Sequence, residues 1–253
     1  MSPIIMLLIT CALVSGTLIA ASANHWLIAW VGLELNTIAI IPLIVHLPTP
    51  RATESAIKYF LTQAAASNVL LLASIMNAHM TGQWSLAQLT TQPAISMMTL
   101  ALAMKLGLAP LHAWFPETMQ GTNLKMAMVL ATWQKLAPLA LMYALAHQLH
   151  TPTMLTLAVL STLVGGWGGL NQTQLRKLMA FSSIAHMGWI ISVLPLNSLL
   201  TLITLGVYIT MTATMFSTLL PTNTKSLKNM TTIWMSSTPT ALILALTLIS
   251  LGG

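Results

Sequence analysis

Residues 94–116 read AISMMTLALAMKLGLAPLHAWFP, a run of mostly apolar residues with one lysine in the middle. A helix that crosses the ~30 Å hydrocarbon core of a bilayer needs about 20 such residues, so the run predicts a membrane span. The lysine, Lys105, is followed by Gly107 and Pro110. Proline has no N–H for the carbonyl of Leu106, and glycine loosens the same turn. The stretch therefore predicts a transmembrane helix that breaks beside a buried lysine, where freed carbonyls would line an ion or substrate site.

The composition of the whole chain agrees with a lipid environment. Of the 253 residues, 56% are hydrophobic and 5% are charged, whereas a soluble domain has about 25% charged residues. The net charge is +6, but the basic residues form no run or patch, so no nucleic acid partner is expected. The single cysteine, Cys11, supplies neither an intrachain disulfide nor the four ligands of an iron–sulfur cluster. The chain starts without a basic or Arg-rich leader pattern, so the first helix is expected to stay in the mature protein.

The apolar runs predict an all-α polytopic membrane protein. Residues 1–253 are expected to form a single transmembrane domain of about eight complete helices and a ninth that is cut short. The predicted spans are 3–23, 25–46, 56–78, 94–116, 124–147, 153–171, 178–194, 199–220 and 238–253.

The charges in the links between spans indicate the topology. Side A is defined as the side of the N-terminus, and successive links alternate between side A and side B. The side B links, near 24, 79–93, 148–152 and 195–198, contain no Lys or Arg. The side A links and the adjoining helix starts contain Arg51, Lys58, Lys125, Arg176, Lys177, Lys225 and Lys228. By the positive-inside rule, side A faces the cytoplasm or the mitochondrial matrix.

Three ionisable residues lie near the middle of apolar stretches, namely Glu34, Lys105 and Lys135. Lys135 lies ten residues after the interfacial Lys125, which is ~15 Å along a helix and half the depth of the core. A charge at the centre of a bilayer costs at least ~2.5–3.5 kcal/mol, so such residues normally face a polar interior and have a function there. These three residues are therefore the first candidates for a functional site.

The chemistry of buried charges points to proton transfer. Burial favours the neutral form of a lysine or a carboxylic acid, and a nearby opposite charge favours the charged form. A lysine held between these influences can exchange a proton near neutral pH, as a relay requires. Glu34 is the one acid predicted at this depth, so we expect it to pair with Lys105. Pro138 would free the carbonyl of Gln134 beside Lys135. The alternative is that static ion pairs in kinked helices only fix the packing.

Two histidines are candidate relay members. His112 follows Lys105 by seven residues, on about the same side of a continuous helix, and His186 follows Ser182 and Ser183 at helical spacing. A histidine titrates in the physiological range, although a hydrogen-bonded packing role is an equal alternative for each. The spacing of the histidines indicates no metal site.

The glycines of residues 165–169 predict close helix packing. The segment reads GGWGG and lacks the GK[ST] and GxGxxG patterns of phosphate-binding loops. Small residues at this spacing instead let two helix backbones approach each other.

Four longer motifs carry a resemblance to a known family. The chain resembles NADH:ubiquinone oxidoreductase (respiratory complex I) chain 2 in its animal mitochondrial form, and the likeness runs from the first residue to the last. The motifs are KLGLAPLHAWFPE at 105–117, TWQKLAP at 132–138, GGLNQTQLRK at 168–177 and AFSSIAHMGW at 180–189.

The resemblance implies an antiporter-like transmembrane helix bundle in the membrane arm of complex I, related to multisubunit sodium/proton antiporters. Glu34, Lys105 and Lys135 would match the central proton-path residues of that family. The chain would lie in the mitochondrial inner membrane with its N-terminus on the matrix side. It would be part of an obligate hetero-oligomer with the other membrane-arm subunits. It would bind no cofactor itself, and other subunits would bind NADH, FMN, iron–sulfur clusters and ubiquinone.

The end of the chain departs from the family pattern. Similar proteins continue beyond Gly253 through further helices with another buried lysine, so the exit half of the path is expected to lie outside these residues. Two rival functions stay open at this point. One is an independent cation/proton antiporter, and the other is a structural membrane subunit whose buried charges are static.

Overall fold

The computed structural model of the chain describes residues 2–46, 49–222, 226–229 and 238–251. All regular structure in these ranges is helical, and two isolated β-bridges link loops. Short 3-10 turns lie at Leu86–Gln88, Trp133–Lys135 and Leu227–Asn229. The α-helices are α1 Pro3–Ala21, α2 Trp26–Ile44, α3 Pro50–Thr81, α4 Gln92–Leu106, α5 Trp114–Gly121, α6 Leu124–Ala131, α7 Leu136–Ala144, α8 Thr151–Leu170, α9 Leu175–Val193, α10 Ser198–Thr222 and α11 Thr238–Leu251.

Each predicted span coincides with one helix or with a broken pair of helices. The predicted span 94–116 is divided into α4 and α5, and the span 124–147 is divided into α6 and α7. The all-helical membrane fold and the break near Lys105 are therefore confirmed. Five helices within the described residues are long and apolar enough to cross a membrane unbroken, and these are α1, α2, α3, α8 and α10.

Helix ends follow local capping chemistry. At the start of α3, the Thr49 side chain accepts a hydrogen bond from the N–H of Ala52, and Pro50 occupies the first helical position. Both features satisfy or remove N–H groups that lack a partner in the first turn. At the other end, Gly82 adopts a left-handed conformation with φ of 72°. Glycine reaches this conformation without a Cβ clash and so terminates the helix.

Close backbone contacts join α1 to α2 and α8 to α9. A Cβ added to Gly32 of α2 would lie 2.6 Å from the amide nitrogen of Ala20 in α1. A Cβ added to Gly165 of α8 would lie 2.6 Å from the amide nitrogen of Ala185 in α9. Gly165 thus has the close-packing role predicted for the 165–169 segment, whereas Gly166 has no neighbouring atom within 4 Å of such a Cβ.

Links that the sequence assigns to the same side of the membrane contact one another. On side A, Arg176 donates to the carbonyl of Thr122, and the amide of Leu227 donates to Thr173 at 3.1 Å. On side B, the amide of Leu86 donates to Asn24 at 3.1 Å. The links therefore form two groups, one at each end of the helix bundle, in the alternation derived from sequence.

The apolar core is divided into two clusters, one towards each end of the bundle. The cluster towards side B, called the side B core, includes Trp26, Leu33, Leu70, Leu86, Leu108, Ala137, Met187 and Tyr208. The cluster towards side A, called the side A core, includes Ala39, Tyr59, Trp114, Phe115, Ala131, Ile184 and Phe216. The helices α1, α2, α3, α9 and α10 and the two broken pairs contribute to both clusters, so each has a short segment between the two cores.

Candidate functional site

Polar residues occupy the segments that lie between the two cores. On α2 the change from one core to the other falls between Leu33 and Ala39, and on α3 it falls between Tyr59 and Leu70. The polar residues in these and the equivalent segments of α4–α5, α6–α7 and α9 form what we call the polar layer. It contains Glu34, Asn36, Gln63, Ser67, His112, Gln134, Lys135 and His186.

Lys105 lies at the end of the first broken helix. Its side chain is 5% exposed, and its Nζ makes no hydrogen bond within the described part of the chain. Gly107, with φ of 75°, ends α4 in the left-handed conformation that glycine favours. Lys105 belongs to a stretch of α4 that lines the side B core, so it lies at the margin of the polar layer.

Hydrogen bonds from two neighbouring helices hold the irregular segment after Lys105. The amide of Ala109 donates to Oγ of Ser161 on α8 at 3.0 Å. The indole of Trp114, at the start of α5, donates to the carbonyl of Met104 at 3.1 Å. These bonds satisfy backbone groups that the break exposes, which is the condition for irregular backbone inside a membrane.

Glu34 on α2 is half-buried and accepts a hydrogen bond from Oγ1 of Thr37 at 3.1 Å. It interacts electrostatically with Lys105 and with Tyr59. The Glu34–Lys105 pair expected from sequence forms no direct salt bridge, and Nζ of Lys105 has no hydrogen-bond partner among the described residues. The carboxylate and the ammonium thus act on each other through space, and Thr37 is the hydrogen-bonding partner of the acid.

Lys135 is the last residue of the 3-10 turn between α6 and α7, at the second break. It is 2% exposed, and its Nζ donates to the carbonyl of Ser183 on α9 at 3.4 Å. The ammonium also lies 4.6 Å from the centroid of Phe115 and 5.4 Å from that of Tyr208. Aromatic faces attract a cation most strongly where water is excluded. Lys135 is therefore held by three elements besides its own.

His186 joins the surroundings of Lys135 through Tyr208. The two rings lie 5.6 Å apart between centroids, and Nδ1 of His186 is 2.8 Å from the carbonyl of Ser182. The hydroxyl of Tyr208 donates to the carbonyl of Ala131 at 2.7 Å, next to the second break. The structure thus brings His186 and Lys135 to the same aromatic ring.

His112 does not share a helical face with Lys105, contrary to the sequence argument. The helix ends at Leu106, so His112 lies in the irregular segment before α5 and is half-buried. Its ring centroid lies 6.4 Å from that of Phe181 on α9. The predicted break itself separates the two residues, because residues seven apart lie on the same face only along a continuous helix.

Three further polar residues link the Lys135 site to α2, the helix that carries Glu34. The hydroxyl of Tyr59 on α3 donates to Oε1 of Gln134 at 3.4 Å, and Nε2 of Gln134 donates to the carbonyl of Asn36 at 3.4 Å. Gln134 precedes Lys135, and Asn36 is two residues from Glu34. The sequence analysis missed this connection. The signal was the recurrence of polar residues at every fourth position of α3.

An ion-pair cluster lies at the side A end. Nζ of Lys58 is 2.6 Å from Oε1 of Glu54 and 2.6 Å from Oε2 of Glu117. The second pair joins α3 to α5, the half-helix that follows the first break. Within the described residues, no group of three or more His, Cys, Asp or Glu side chains is arranged to hold a metal ion.

Comparison with known proteins matches nearly the whole chain to one family. Residues 23–253 match the family model described as NADH:quinone oxidoreductase/Mrp antiporter, TM. The chain is 51% identical over 253 residues to NADH-ubiquinone oxidoreductase chain 2 of Xenopus laevis. It is 49% identical over 255 residues to the protein of the same name in Bos taurus. In both matches the whole chain aligns with 73% of the relative.

Solved structures share the same fold. A chain of respiratory complex I from Thermus thermophilus matches with a TM-score of 0.85 and 26% identity, over 93% of this chain and 56% of that one. A chain of the Mrp complex from Dietzia sp. matches with a TM-score of 0.78 and 16% identity, over 83% of this chain and 44% of that one. This chain thus spans about half the length of these two solved chains. On the sequence matches, the chain belongs to the NADH-ubiquinone oxidoreductase chain 2 family, the antiporter-like membrane subunits of respiratory complex I.

Proposed function

We propose that the chain translocates protons within the membrane arm of mitochondrial NADH:ubiquinone oxidoreductase, through a relay of Glu34, Lys105, His112, Lys135 and His186. The observation that carries the proposal is the position of the two buried lysines. Each lies at a break in a transmembrane helix, within or at the margin of a polar layer between two apolar cores. Discontinuous helices with intramembrane charges are typical of ion paths.

The two lysines have complementary surroundings. Lys105 has Glu34 as an electrostatic partner, which favours the ammonium, and its Nζ has no hydrogen-bond acceptor among the described residues. Lys135 faces a carbonyl and two aromatic rings, which favour the ammonium. In the proposed relay, bound water passes protons between Glu34, the two lysines and His186.

The energy for this transfer would come from partner subunits. NADH, FMN, iron–sulfur clusters and ubiquinone are assigned to other subunits of the complex, since the one cysteine of this chain falls short of the four that a cluster takes. Redox chemistry would reach this chain as a change of conformation or of electric field. The excess of basic residues in side A links supports a mitochondrial inner-membrane location with the N-terminus in the matrix.

The test measures proton-to-electron stoichiometry in liposomes that contain the assembled complex. Glu34→Gln, Lys105→Met and Lys135→Met are each expected to lower the protons pumped per NADH oxidised. Lys125→Met is the control, because it removes an exposed lysine near the start of α6. Full stoichiometry in all three relay variants, normalised to assembled complex, would overturn the proposal.

The same measurement separates the two rival functions. A structural subunit predicts that the lysine variants reduce assembly and leave pumping per complex unchanged. Of the two rival functions, the structural one is favoured by the many contacts of Lys135. An independent cation/proton antiporter predicts exchange by the isolated chain in liposomes. We expect no exchange in that preparation, because the relay depends on the partner subunits.

A further inference from the structure

One side of the short helix α5 packs against α3. Trp114, Glu117 and Gly121 are three and four residues apart, so they lie on the same side of α5. The ring centroids of Trp114 and Tyr59 of α3 are 5.7 Å apart. A Cβ added to Gly121 would lie 2.6 Å from the carbonyl oxygen of Arg51, near the start of α3. The two helices are therefore in contact at both ends of α5.

The ion pair of Lys58 with Glu117 lies between these two contacts. Nζ of Lys58 on α3 is 2.6 Å from Oε2 of Glu117 on α5. The two side chains are 42% and 52% exposed, whereas Tyr59 and Trp114 beside them are buried. The pair thus joins α5 to α3 at the edge of their contact that is accessible to water.

Phe115 lies on a different side of α5 and contacts Lys135. It precedes Glu117 by two residues, which corresponds to about 200° around a helix. Its ring is buried, and the ring centroid lies 4.6 Å from Nζ of Lys135 at the second break. The helix α5 therefore has α3 on one side and the ammonium of Lys135 on the other.

The position of α5 depends on contacts with its neighbours, because α5 does not continue α4. The helix α4 ends at Leu106, and residues 107–113 form an irregular link before α5 begins at Trp114. The indole of Trp114 bonds to Met104 of α4, and the Lys58–Glu117 pair adds a charged contact to α3. A shift of this short helix away from α3 would carry Phe115 with it and change the surroundings of Lys135.

We propose that Lys58 and Glu117 are positioning residues for the relay, and that their ion pair holds α5 where Phe115 covers the ammonium of Lys135. The inference rests on the proposed function, because it concerns how the surroundings of a relay lysine are kept in place. Neither Lys58 nor Glu117 exchanges a proton with the relay in this role. Both act through α5 and Phe115, whose ring favours the charged form of Lys135.

Single variants of the pair test this role in liposomes that contain the assembled complex. Glu117→Gln and Lys58→Met are each expected to slow initial proton pumping per assembled complex by about two- to fivefold, the rate equivalent of one partly exposed ion pair. Lys58→Arg keeps the charge and should retain most of the rate. Unaltered pumping in both Glu117→Gln and Lys58→Met would overturn the proposal.

Glu54→Gln is the matched control. Oε1 of Glu54 is also 2.6 Å from Nζ of Lys58, but this pair lies within α3, four residues apart. The control removes one carboxylate from the same ammonium and leaves the connection to α5 in place. It should pump at the rate of the unaltered complex. A loss equal to that of Glu117→Gln would show that the charge of the cluster, and not the connection between helices, is responsible.

A double variant shows whether the pair acts through Phe115. Phe115→Leu removes the ring that covers Lys135, so the position of α5 should then matter little to the ammonium. Adding Glu117→Gln to Phe115→Leu is therefore expected to cause almost no further slowing. Two independent effects would multiply instead. Multiplied losses would overturn the proposal, because they would show that the ion pair affects pumping by another way.

Exchange of the two charges provides the rescue. Lys58→Glu and Glu117→Lys are combined in the Glu54→Gln background, since the carboxylate of Glu54 would repel a second one at position 58. The exchanged pair again joins α3 to α5, so the combined variant should recover most of the pumping rate that Glu117→Gln loses. A rate as low as that of Glu117→Gln, in complex that assembles normally, would contradict the proposal.

The outcomes distinguish this role from the function on which it rests. Normal pumping in Glu117→Gln and Lys58→Met, with pumping lost in Lys135→Met, overturns the positioning role and leaves the proposed function in place. Reduced assembly with an unchanged rate per complex also overturns the positioning role, since it shows a purely structural pair. Normal pumping in Glu34→Gln and both relay lysine variants overturns the proposed function itself.

Discussion

The ammonium of Lys135 lies over the ring of Phe115, with 4.6 Å between Nζ and the ring centroid. Phe115 belongs to α5, which follows the break beside Lys105, whereas Lys135 lies at the break between α6 and α7. The contact therefore joins the two broken helices. A displacement of α5 would change the surroundings of Lys135 directly, which gives the two lysine sites a mechanical connection.

Replacing Phe115 by leucine should slow proton pumping several-fold. The variant removes an attraction to the ammonium that is worth about 2 kcal/mol where water is excluded. Pumping per assembled complex is the measurement. Phe216→Leu is the control, because Phe216 is equally buried and is not one of the two rings that Lys135 faces. Equal losses in both variants would show that general packing, and not the cation contact, is responsible.

Tyr208→Phe should separate the effect of the Tyr208 ring from that of its hydroxyl. The variant keeps the ring 5.4 Å from Lys135 and loses the 2.7 Å hydrogen bond to Ala131. The expected cost is about 1 kcal/mol of stability, measured as a lower midpoint of thermal dissociation of the complex, with pumping largely retained. Tyr208→Leu should lose pumping as well. Equal loss of pumping in the phenylalanine and leucine variants would contradict the assigned role of the ring.

Ser161→Ala should destabilise the break beside Lys105. Its Oγ is the acceptor for the buried amide of Ala109 at 3.0 Å, and an N–H left without a partner costs about 1–3 kcal/mol. The amount of assembled complex and its thermal dissociation are the measurements. Ser74→Ala provides the comparison, because the Ser74 hydroxyl is bonded within its own helix. Similar stability of the two variants would show that Ser161 does not hold the broken segment.

Two adjacent glycines of α8 should respond in opposite ways to substitution by alanine. Gly165→Ala would place a methyl group 2.6 Å from the backbone of Ala185 and so force α8 and α9 apart, whereas Gly166→Ala meets no atom within 4 Å. We expect strongly reduced assembly for the first variant. The second should be neutral or slightly stabilising, since alanine is the better helix former. Native gel electrophoresis of the complex measures both, and normal assembly of Gly165→Ala would contradict the packing.

The helices and the break beside Lys105 were predictable because their causes are local. The break at Lys105 follows from Gly107 and Pro110. The alternation of links between side A and side B follows from the placement of basic residues in those links. The pairing of Glu34 with Lys105 was not predictable in the same way. Glu34 lies in the polar layer and Lys105 at its margin. A direct ion pair also requires side-chain positions that depend on how α2 and α4 pack. In the folded chain Thr37 bonds to the acid instead.

The sequence by itself determined the membrane environment, the helical fold, the break beside Lys105 and the family, because hydropathy, proline chemistry and motif identity need no long-range contact. Only the tertiary structure decided which partners these charges have. It brought Phe115, Ser183 and Tyr208 around Lys135 and joined Tyr59 to Gln134. Those contacts link residues far apart in the chain, and their geometry depends on how several helices pack together.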